Sequence, residues 1–220
     1  MQSQRLSILI ILLLVLNACS KDDDERGCRD YGTTPTESCP SPFPPAPEAT
    51  TPEILFDNLA RALRTRDENL YESLIDRNYW FTETNCLGEI LFENDYEEEI
   101  TILGGSRDGS IPGIFDIFRD FAYDLHLLLR SQELGSEFLG TFDGDPDGHP
   151  DEDWEVFRGR VQMLMLDEHG DGYRVEQIMT FKSRLDEDIG LWKIIRWIDD
   201  PLGSDCGTSG KIAVGESSSW

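Results

Sequence analysis

The sequence predicts an α+β domain in which helices near the N-terminus pack on a long antiparallel sheet. Residues 53–75 carry apolar side chains at intervals of three and four, which is typical of amphipathic helices. Residues 121–198 contain long segments of β-prone residues, several with alternating apolar positions, separated by turn-rich connections. Helices followed by a run of strands indicate an α+β architecture. At 220 residues, the chain has room for one such domain and flexible flanks.

The first helix is predicted to begin at Pro52, with Thr51 as its N-cap, because threonine caps helices and proline suits their first turn. Its apolar face consists of residues at helical spacing: Ile54, Leu55, Leu59, Ala62 and Leu63. A second short helix is predicted over residues 67–75. A third is predicted over residues 96–103 and ends at the Gly104-Gly105 pair.

The face of the third helix that points inward is predicted to carry Tyr96, Ile100 and Leu103. The three consecutive acidic residues of that helix are expected to be exposed: Glu97, Glu98 and Glu99.

Five strands are predicted. Residues 79–84 are aromatic and β-prone, and residues 121–130 alternate between apolar and mixed positions. Three long strands follow over residues 155–166, 173–185 and 191–198, and the short turns between them predict an antiparallel meander. The last of these is apolar on both faces, so it is expected to be central or covered.

The N-terminus has the features of a secretion signal. Residues 6–16 are apolar except for Ser7, and this run is shorter than the roughly 20 residues that a membrane span requires. The segment Leu16-Asn17-Ala18-Cys19 resembles the lipobox of bacterial lipoproteins, in which the cysteine is acylated and becomes the first mature residue. A plain signal peptide with a chance cysteine is the alternative.

The lipoprotein resemblance implies a location. Residues 1–18 would be removed as the signal peptide, and lipidated Cys19 would anchor the chain to a membrane. Serine at position 20 is similar to the outer-membrane sorting signal of that family. We therefore expect a protein of the bacterial cell envelope that is lipid-anchored at the outer membrane.

The chain divides into four segments. After the signal, residues 19–52 are acidic and then rich in proline, with seven of the eleven prolines of the chain, and this composition predicts an extended tether. Residues 53–200 form the predicted domain. Residues 201–220 are expected to be a Gly/Ser-rich tail.

The net charge of −25 limits the classes of partner. Such a charge repels phosphate backbones, so the sequence excludes nucleic acid as a partner. Cationic partners or metal ions fit this charge better. The alternative is that the charge only keeps the protein soluble at a crowded cell surface.

Four cysteines remain besides Cys19, and an even number in an exported chain favours disulfides. Three pairings are open. We favour Cys28 with Cys39, which are near neighbours, and Cys86 with Cys206, which each follow a predicted strand. Free thiols are the alternative.

The order of elements resembles the NTF2-like superfamily, the cone-shaped fold shared by nuclear transport factor 2, ketosteroid isomerase and SnoaL-type polyketide cyclases. The resemblance rests on residues 59–67, 74–81 and 192–200 and covers about residues 53–200. It implies N-terminal helices packed on a curved antiparallel sheet. It also implies a cone that holds a small apolar ligand and, in the enzymes, a carboxylate or histidine dyad.

Transfer of the isomerase site to this chain fails in part. Its catalytic base would fall near Glu83, which is a carboxylate. Its tyrosine donor would fall near Leu59 and its acidic donor near Met179 or Thr180, and none of these can stabilise an enolate.

The weak catalytic candidates are Glu83, Asp124 and His126, the last two being two residues apart on one face of a predicted strand. A solvated carboxylate and surface hydrogen bonds are the structural alternatives for these residues. The sequence leaves open whether the protein is an enzyme and favours binding without chemistry.

The most specific local motif in the sequence resembles a calcium-binding loop. Asp143, Asp145 and Asp147 occupy the first, third and fifth places of an EF-hand-like loop, Gly148 the sixth and Asp151 the ninth. The twelfth place, where a glutamate belongs, holds a tryptophan. Calcium is therefore a possible cofactor, and a solvated acidic connection between strands is the alternative. No other cofactor is expected.

Aromatic residues are the candidates for lining the cone. Tyr79, Phe81, Trp192 and Trp197 would line a pocket or belong to the core. We expect a non-catalytic module that binds a small apolar molecule or a protein partner. The alternatives are a polyketide-cyclase-like or hydratase-like enzyme that uses the cone, and a structural module that forms a homodimer through the sheet face.

Overall fold

The computed structural model describes residues 44–85, 87–141, 145–200 and 211–214. The chain divides into two compact units, Met1–Pro45 and Ala46–Trp220, and every described helix and strand belongs to the second. The signal peptide, most of the tether and Asp143 lie outside the described residues. So do all five cysteines, and the predictions of lipidation and disulfide pairing therefore remain predictions.

Two helices open the domain, as predicted. Helix α1 is Pro52–Thr65, and the Thr51 hydroxyl accepts a hydrogen bond from the backbone N–H of Ile54 at 3.4 Å. Helix α2 is Glu68–Leu74, capped by the Asp67 carboxylate. Both caps satisfy backbone N–H groups that a helix leaves unpaired at its start.

Strands make up most of the remaining domain, with two further helices and one 3-10 turn inserted between them. The elements in order are β1 Ile75–Thr84, β2 Ile90–Asp95, α3 Tyr96–Gly104, α4 Ile114–Ile117, β3 Asp120–Glu133, the 3-10 turn Gly135–Glu137, β4 Trp154–Leu166, β5 Gly172–Asp186, β6 Leu191–Asp200 and β7 Lys211–Val214. All the predicted elements are present. The sequence analysis missed β2, α4, the 3-10 turn and β7.

The strands form one sheet in the order β2-β1-β6-β5-β4-β3. Neighbouring strands are antiparallel except β1 and β6, which are parallel. The predicted meander of β4, β5 and β6 is confirmed, and β6 is central, as its two apolar faces indicated. Strand β7 pairs with the start of β5, although it lies in the segment expected to be a Gly/Ser-rich tail.

The face of the sheet that packs against α1, which we call the concave face, carries a row of aromatic residues. Strand register aligns Phe81, Trp197, Phe181 and Phe157 across four strands. The ring of Phe56 on α1 lies 4.7 Å from that of Phe157 and 5.3 Å from that of Phe181. Helices packed on one face of a mainly antiparallel sheet confirm the predicted α+β class. We call the layer of side chains between the helices and the sheet the cone interior, or the cone.

Part of the opposite face, the convex face, is covered by the connection from β3 to β4. We call its described residues, 134–141 and 145–153, the cover segment. The His149 ring of this segment stacks between Phe138 and Trp154, with centroids 4.6 and 3.8 Å away. A Cβ on Gly135 would lie 2.5 Å from the carbonyl oxygens of Glu152 and His149, so this close backbone approach requires glycine. The part of the sheet beneath the cover segment is therefore packed on both faces.

Arg184 joins three parts of the fold. Its Nε donates to the Asp76 carboxylate of β1 at 2.7 Å, and its Nη1 donates to Glu152 of the cover segment at 3.1 Å. The Asp76 side chain is 2% exposed, so its charge has little contact with water and depends on Arg184.

Replacement of Arg184 is expected to destabilise the fold. Arg184→Met leaves Asp76 buried without its cation, which should lower the free energy of unfolding by about 3 kcal/mol. Adding Asp76→Asn should recover part of the loss, because a neutral amide costs less to bury. The control, Arg160→Met, breaks an exposed 3.8 Å pair with Glu176 and should cost less than about 1 kcal/mol. Urea denaturation checks all three variants, and equal losses in the two single variants would contradict this account.

Candidate functional site

A group of buried polar side chains lies inside the cone, among the apolar core. We call it the interior polar cluster, and none of its members is more than 7% exposed. Helices α2 and α3 and five strands contribute to it. Its members are Tyr71, Tyr79, Asn94, Glu99, Tyr123, Gln177 and Asp199.

Glu99 organises one side of this cluster. The Tyr71 hydroxyl donates to its Oε1 at 2.6 Å, and Asn94 Nδ2 donates to its Oε2 at 3.0 Å. Burial raises the pKa of the Glu99 carboxyl, while these two hydrogen bonds act to lower it. The carboxyl is therefore harder to ionise than an exposed glutamate, yet both of its oxygens have partners.

Asp199 lies on the other side of the cluster. Its carboxylate accepts a 2.8 Å hydrogen bond from the indole Nε1 of Trp197. Burial, followed by the charges of Glu99 and Asp199, raises the pKa of the Tyr79 hydroxyl far above its ordinary value. Burial and Asp199 likewise raise the pKa of Tyr123. Both tyrosines are thus held as neutral hydrogen-bond donors.

Four atoms of the cluster have no hydrogen-bond partner within the described part of the chain. They are the hydroxyls of Tyr79 and Tyr123 and the side-chain carbonyl oxygens of Asn94 and Gln177. A buried polar group without a partner costs about 1 to 3 kcal/mol, so native proteins satisfy such groups with water or a ligand. Two donors and two acceptors inside the cone thus form a set of groups that a bound molecule can satisfy.

Tyr79, a pocket candidate of the sequence analysis, belongs to this cluster, and its role in a pocket stays a prediction. The sequence analysis was wrong about Glu99. That residue was expected to be exposed with its acidic neighbours, and it is buried. Helical spacing gave the signal, because Glu99 lies three residues after Tyr96 and four before Leu103, on the apolar face. Phe81 and Trp197 lie on the concave face with Tyr79, in or against the hydrophobic core, so their role as pocket residues stays a prediction.

Trp192 packs against the same hydrophobic core as the other three pocket candidates, but it also reaches the surface. Its backbone N–H donates to the Ala49 carbonyl, and its side chain lines a depression on the outer surface together with Leu134 and Leu185.

The weak catalytic candidates are not brought together. Glu83 is half-buried on the concave face, in register with Asp199. Asp124 and His126 are exposed on the convex face, opposite Gln162 and Arg160 of β4. A dyad of Glu83 with His126 therefore has no geometric basis.

Residues at the positions equivalent to the isomerase donors are buried in the hydrophobic core. Leu59 is fully buried and Met179 is 2% exposed, and both belong to the hydrophobic core.

The candidate calcium residues belong to the cover segment. Asp147 accepts hydrogen bonds from Lys182 Nζ at 2.9 Å and from Arg196 Nε at 3.1 Å. Burial acts to raise the pKa of Asp147, but these two cations outweigh it and the pKa is lowered. Asp145 accepts from the Asp147 backbone N–H, and the Asp151 side chain is exposed.

No group of three or more histidine, cysteine, aspartate or glutamate side chains among the described residues is arranged to hold a metal ion. Because Asp143 is outside that set, calcium binding remains a prediction. No helix in the described ranges is long and apolar enough to cross a membrane.

Solved structures share the course of this backbone at low sequence identity. A proposed aromatic ring hydroxylase from Novosphingobium aromaticivorans is 14% identical with a TM-score of 0.48, over 78% of this chain and 96% of that one. A proposed calcium/calmodulin-dependent protein kinase type II association domain from Thiobacillus denitrificans is 13% identical with a TM-score of 0.45, over 71% and 99%.

A hexachlorocyclohexane dehydrochlorinase of type 2 is 11% identical with a TM-score of 0.41, over 74% of this chain and 85% of that one. No protein-family model matches the sequence. A comparison with curated proteins finds no match either. Similarities at this level concern the backbone alone, and they carry no information about ligand or activity.

The raised pKa of Glu99 gives a pH-dependent prediction. A carboxyl that is harder to ionise when folded contributes most stability at low pH, and that contribution falls as pH rises above the ordinary value of 4.5 towards the raised pKa. Glu99→Gln removes this titration, and Asn94 can turn its unpartnered Oδ1 towards the new amide. Stability of the variant relative to the native chain should therefore increase with pH.

Urea denaturation of both proteins at about pH 4, 6 and 8 checks this expectation. Glu98→Gln, at an exposed position of the same helix, is the control and should show no comparable trend. A stability difference for Glu99→Gln that is constant across this range would show that the carboxyl is not shifted.

Proposed function

We propose that this protein is a lipid-anchored binding module of the bacterial envelope, whose cone holds a small molecule without transforming it. The observation that carries the proposal is the set of four unpartnered polar atoms in the interior polar cluster. Burial of polar atoms without partners is costly, and a ligand that pairs with these four would recover that cost.

The lining of the cone favours a ligand with an apolar body and at least one polar group. The rings of Phe81 and Trp197, whose centroids are 6.3 Å apart, would provide aromatic contacts for the apolar body. The hydroxyls of Tyr79 and Tyr123 would donate to an acceptor such as a carbonyl or hydroxyl oxygen of the ligand. The carbonyl oxygens of Asn94 and Gln177 would accept from a donor on it. This refines the small apolar ligand expected from the family resemblance.

Binding without chemistry is favoured over catalysis by the same geometry. Asp199 and Glu99 already accept hydrogen bonds from neighbouring side chains. His126 lies on the opposite face of the sheet from Glu83, so it offers no proton transfer into the cone.

Lipidation at Cys19 is the first part of the proposal to test. The full chain, expressed in a bacterium with two membranes, should be recovered from the outer-membrane fraction. Its mass should be that of a chain beginning at Cys19 and carrying acyl groups. Cys19→Ala should abolish acylation and leave the protein unprocessed or released. Recovery of an unmodified soluble chain from the native sequence would contradict the anchor.

Native mass spectrometry of the full chain tests the binding module. Protein isolated from envelopes should carry a retained small-molecule mass beyond its acyl groups. Tyr79→Phe, which removes one donor from the cluster, should weaken retention about tenfold, as expected for loss of one buried hydrogen bond. The matched control is Tyr96→Phe, since that hydroxyl donates to Glu72 outside the cluster.

Equal retention by Tyr79→Phe and Tyr96→Phe would contradict binding at the interior polar cluster. A protein that carries no small molecule and has the mass of a stable dimer would instead favour the structural module that pairs through its sheet face.

A further inference from the structure

A groove on the outer surface, away from the cone interior, has the composition of a second binding site. Two adjoining depressions of about 550 and 450 Å³ form it, and they share five lining residues. One wall is the end of the cover segment and the other is the turn between β5 and β6. We call it the acidic groove. The shared residues are Pro150, Asp151, Glu152, Leu185 and Glu187.

The groove is strongly anionic. Among the described residues that line it, six carry carboxylates and one, Arg184, is a cation whose charge is already paired with Asp76 and Glu152. The six are Asp151, Glu152, Asp153, Asp186, Glu187 and Asp188.

Three of these carboxylates have no partner in the described ranges. Asp153 accepts from the Gly135 backbone N–H, and Asp186 accepts from a backbone N–H in its own turn. The carboxylates of Asp151, Glu187 and Asp188 make no hydrogen bond or ion pair with any described residue, so they remain available to a cation.

Apolar side chains form part of the groove lining, and we call this part the apolar floor. Leu134 and Leu185 line it, each 40% exposed, together with Pro150 and the half-buried ring of Trp192. Apolar surface beneath a rim of carboxylates suits a side chain with an aliphatic stem and a cationic head. Lysine and arginine have that form.

A buried histidine supplies an independent sign of a ligand. His149 is 3% exposed and is one of the residues that line the second depression. Its Nδ1 lies 2.7 Å from the Asp147 carbonyl oxygen, which only accepts, so Nδ1 carries the proton. Its Nε2 is buried and has no hydrogen-bond partner in the described part of the chain.

We propose that the acidic groove binds an extended, lysine-containing or arginine-containing segment of a partner protein. The two depressions adjoin and are open to solvent, which suits successive side chains of one peptide. Cationic heads would pair with Asp151, Glu187 and Asp188, and aliphatic stems would cover the apolar floor. This surface is separate from the interior polar cluster, so a partner protein and a small molecule could be bound at the same time.

Fluorescence anisotropy with the full chain tests this proposal. The probe is a labelled peptide, acetyl-Lys-Ala-Leu-Lys-Ala-Leu-Lys-amide. The double variant Asp151→Asn/Glu187→Gln should weaken binding by about tenfold or more, because it removes two unpaired carboxylates from the groove. Both positions are exposed, so the variant is expected to fold, and circular dichroism verifies this.

The matched control is Asp57→Asn/Asp124→Asn, which removes the same charge from exposed positions on α1 and β3. It should change affinity by less than about twofold, since distant charges are screened at physiological salt. Equal weakening by the two double variants would overturn the proposal and assign the binding to net charge alone.

The apolar floor provides a second readout. Leu185→Ser keeps every charge and should still weaken peptide binding several-fold, with the difference persisting in high salt. Unchanged affinity of the Leu185→Ser variant for the peptide would overturn the proposed position of the peptide in the groove. Spermine that binds to the native groove as tightly as the peptide, and displaces it, would overturn the assignment to a protein segment in favour of a small polyamine.

Discussion

The buried carboxylate of Glu99, held between the Tyr71 hydroxyl and the Asn94 amide, is the interaction around which the cone interior is arranged. It connects α2, α3 and β2. The Glu99 carboxyl, whether ionised or protonated, lies among apolar side chains. That placement raises the pKa of both the carboxyl and the neighbouring Tyr79 hydroxyl. Buried polar groups cost free energy unless they form hydrogen bonds. The four atoms of the cluster that have no partner among the described residues therefore indicate where a ligand would bind.

The convex face is stabilised by a different set of charges. Lys182 and Arg196 are buried beneath the cover segment, and Asp147 accepts from both. An acidic loop that reads from sequence as a candidate calcium site thus has one of its carboxylates committed to protein cations. The cover segment also provides one wall of the acidic groove. Some carboxylates of this acidic chain, such as that of Asp147, therefore stabilise the fold. Others are exposed in the acidic groove, where we propose that they bind a partner.

Sequence periodicity was sufficient to predict the fold because the strands and helices are long and regularly patterned. The missed elements are short or polar: β2 ends in three polar residues, Glu93, Asn94 and Asp95, and α4 has only four residues. Most of the interior polar cluster could not be predicted from the sequence, because its members are distant in the chain and are brought together only by the register of the strands. The burial of Glu99 could have been predicted, because its spacing from Tyr96 places it on the buried face of the helix.

A crystal structure of the full chain, isolated from envelopes and at a resolution that shows ordered water, tests the central claim most directly. The claim is that Tyr79, Tyr123, Asn94 and Gln177 form a preformed ligand site. We expect density for a molecule larger than water within hydrogen-bonding distance of the two hydroxyls. A cone in which both hydroxyls donate to protein atoms, with closely packed side chains and no room for a guest, would contradict it.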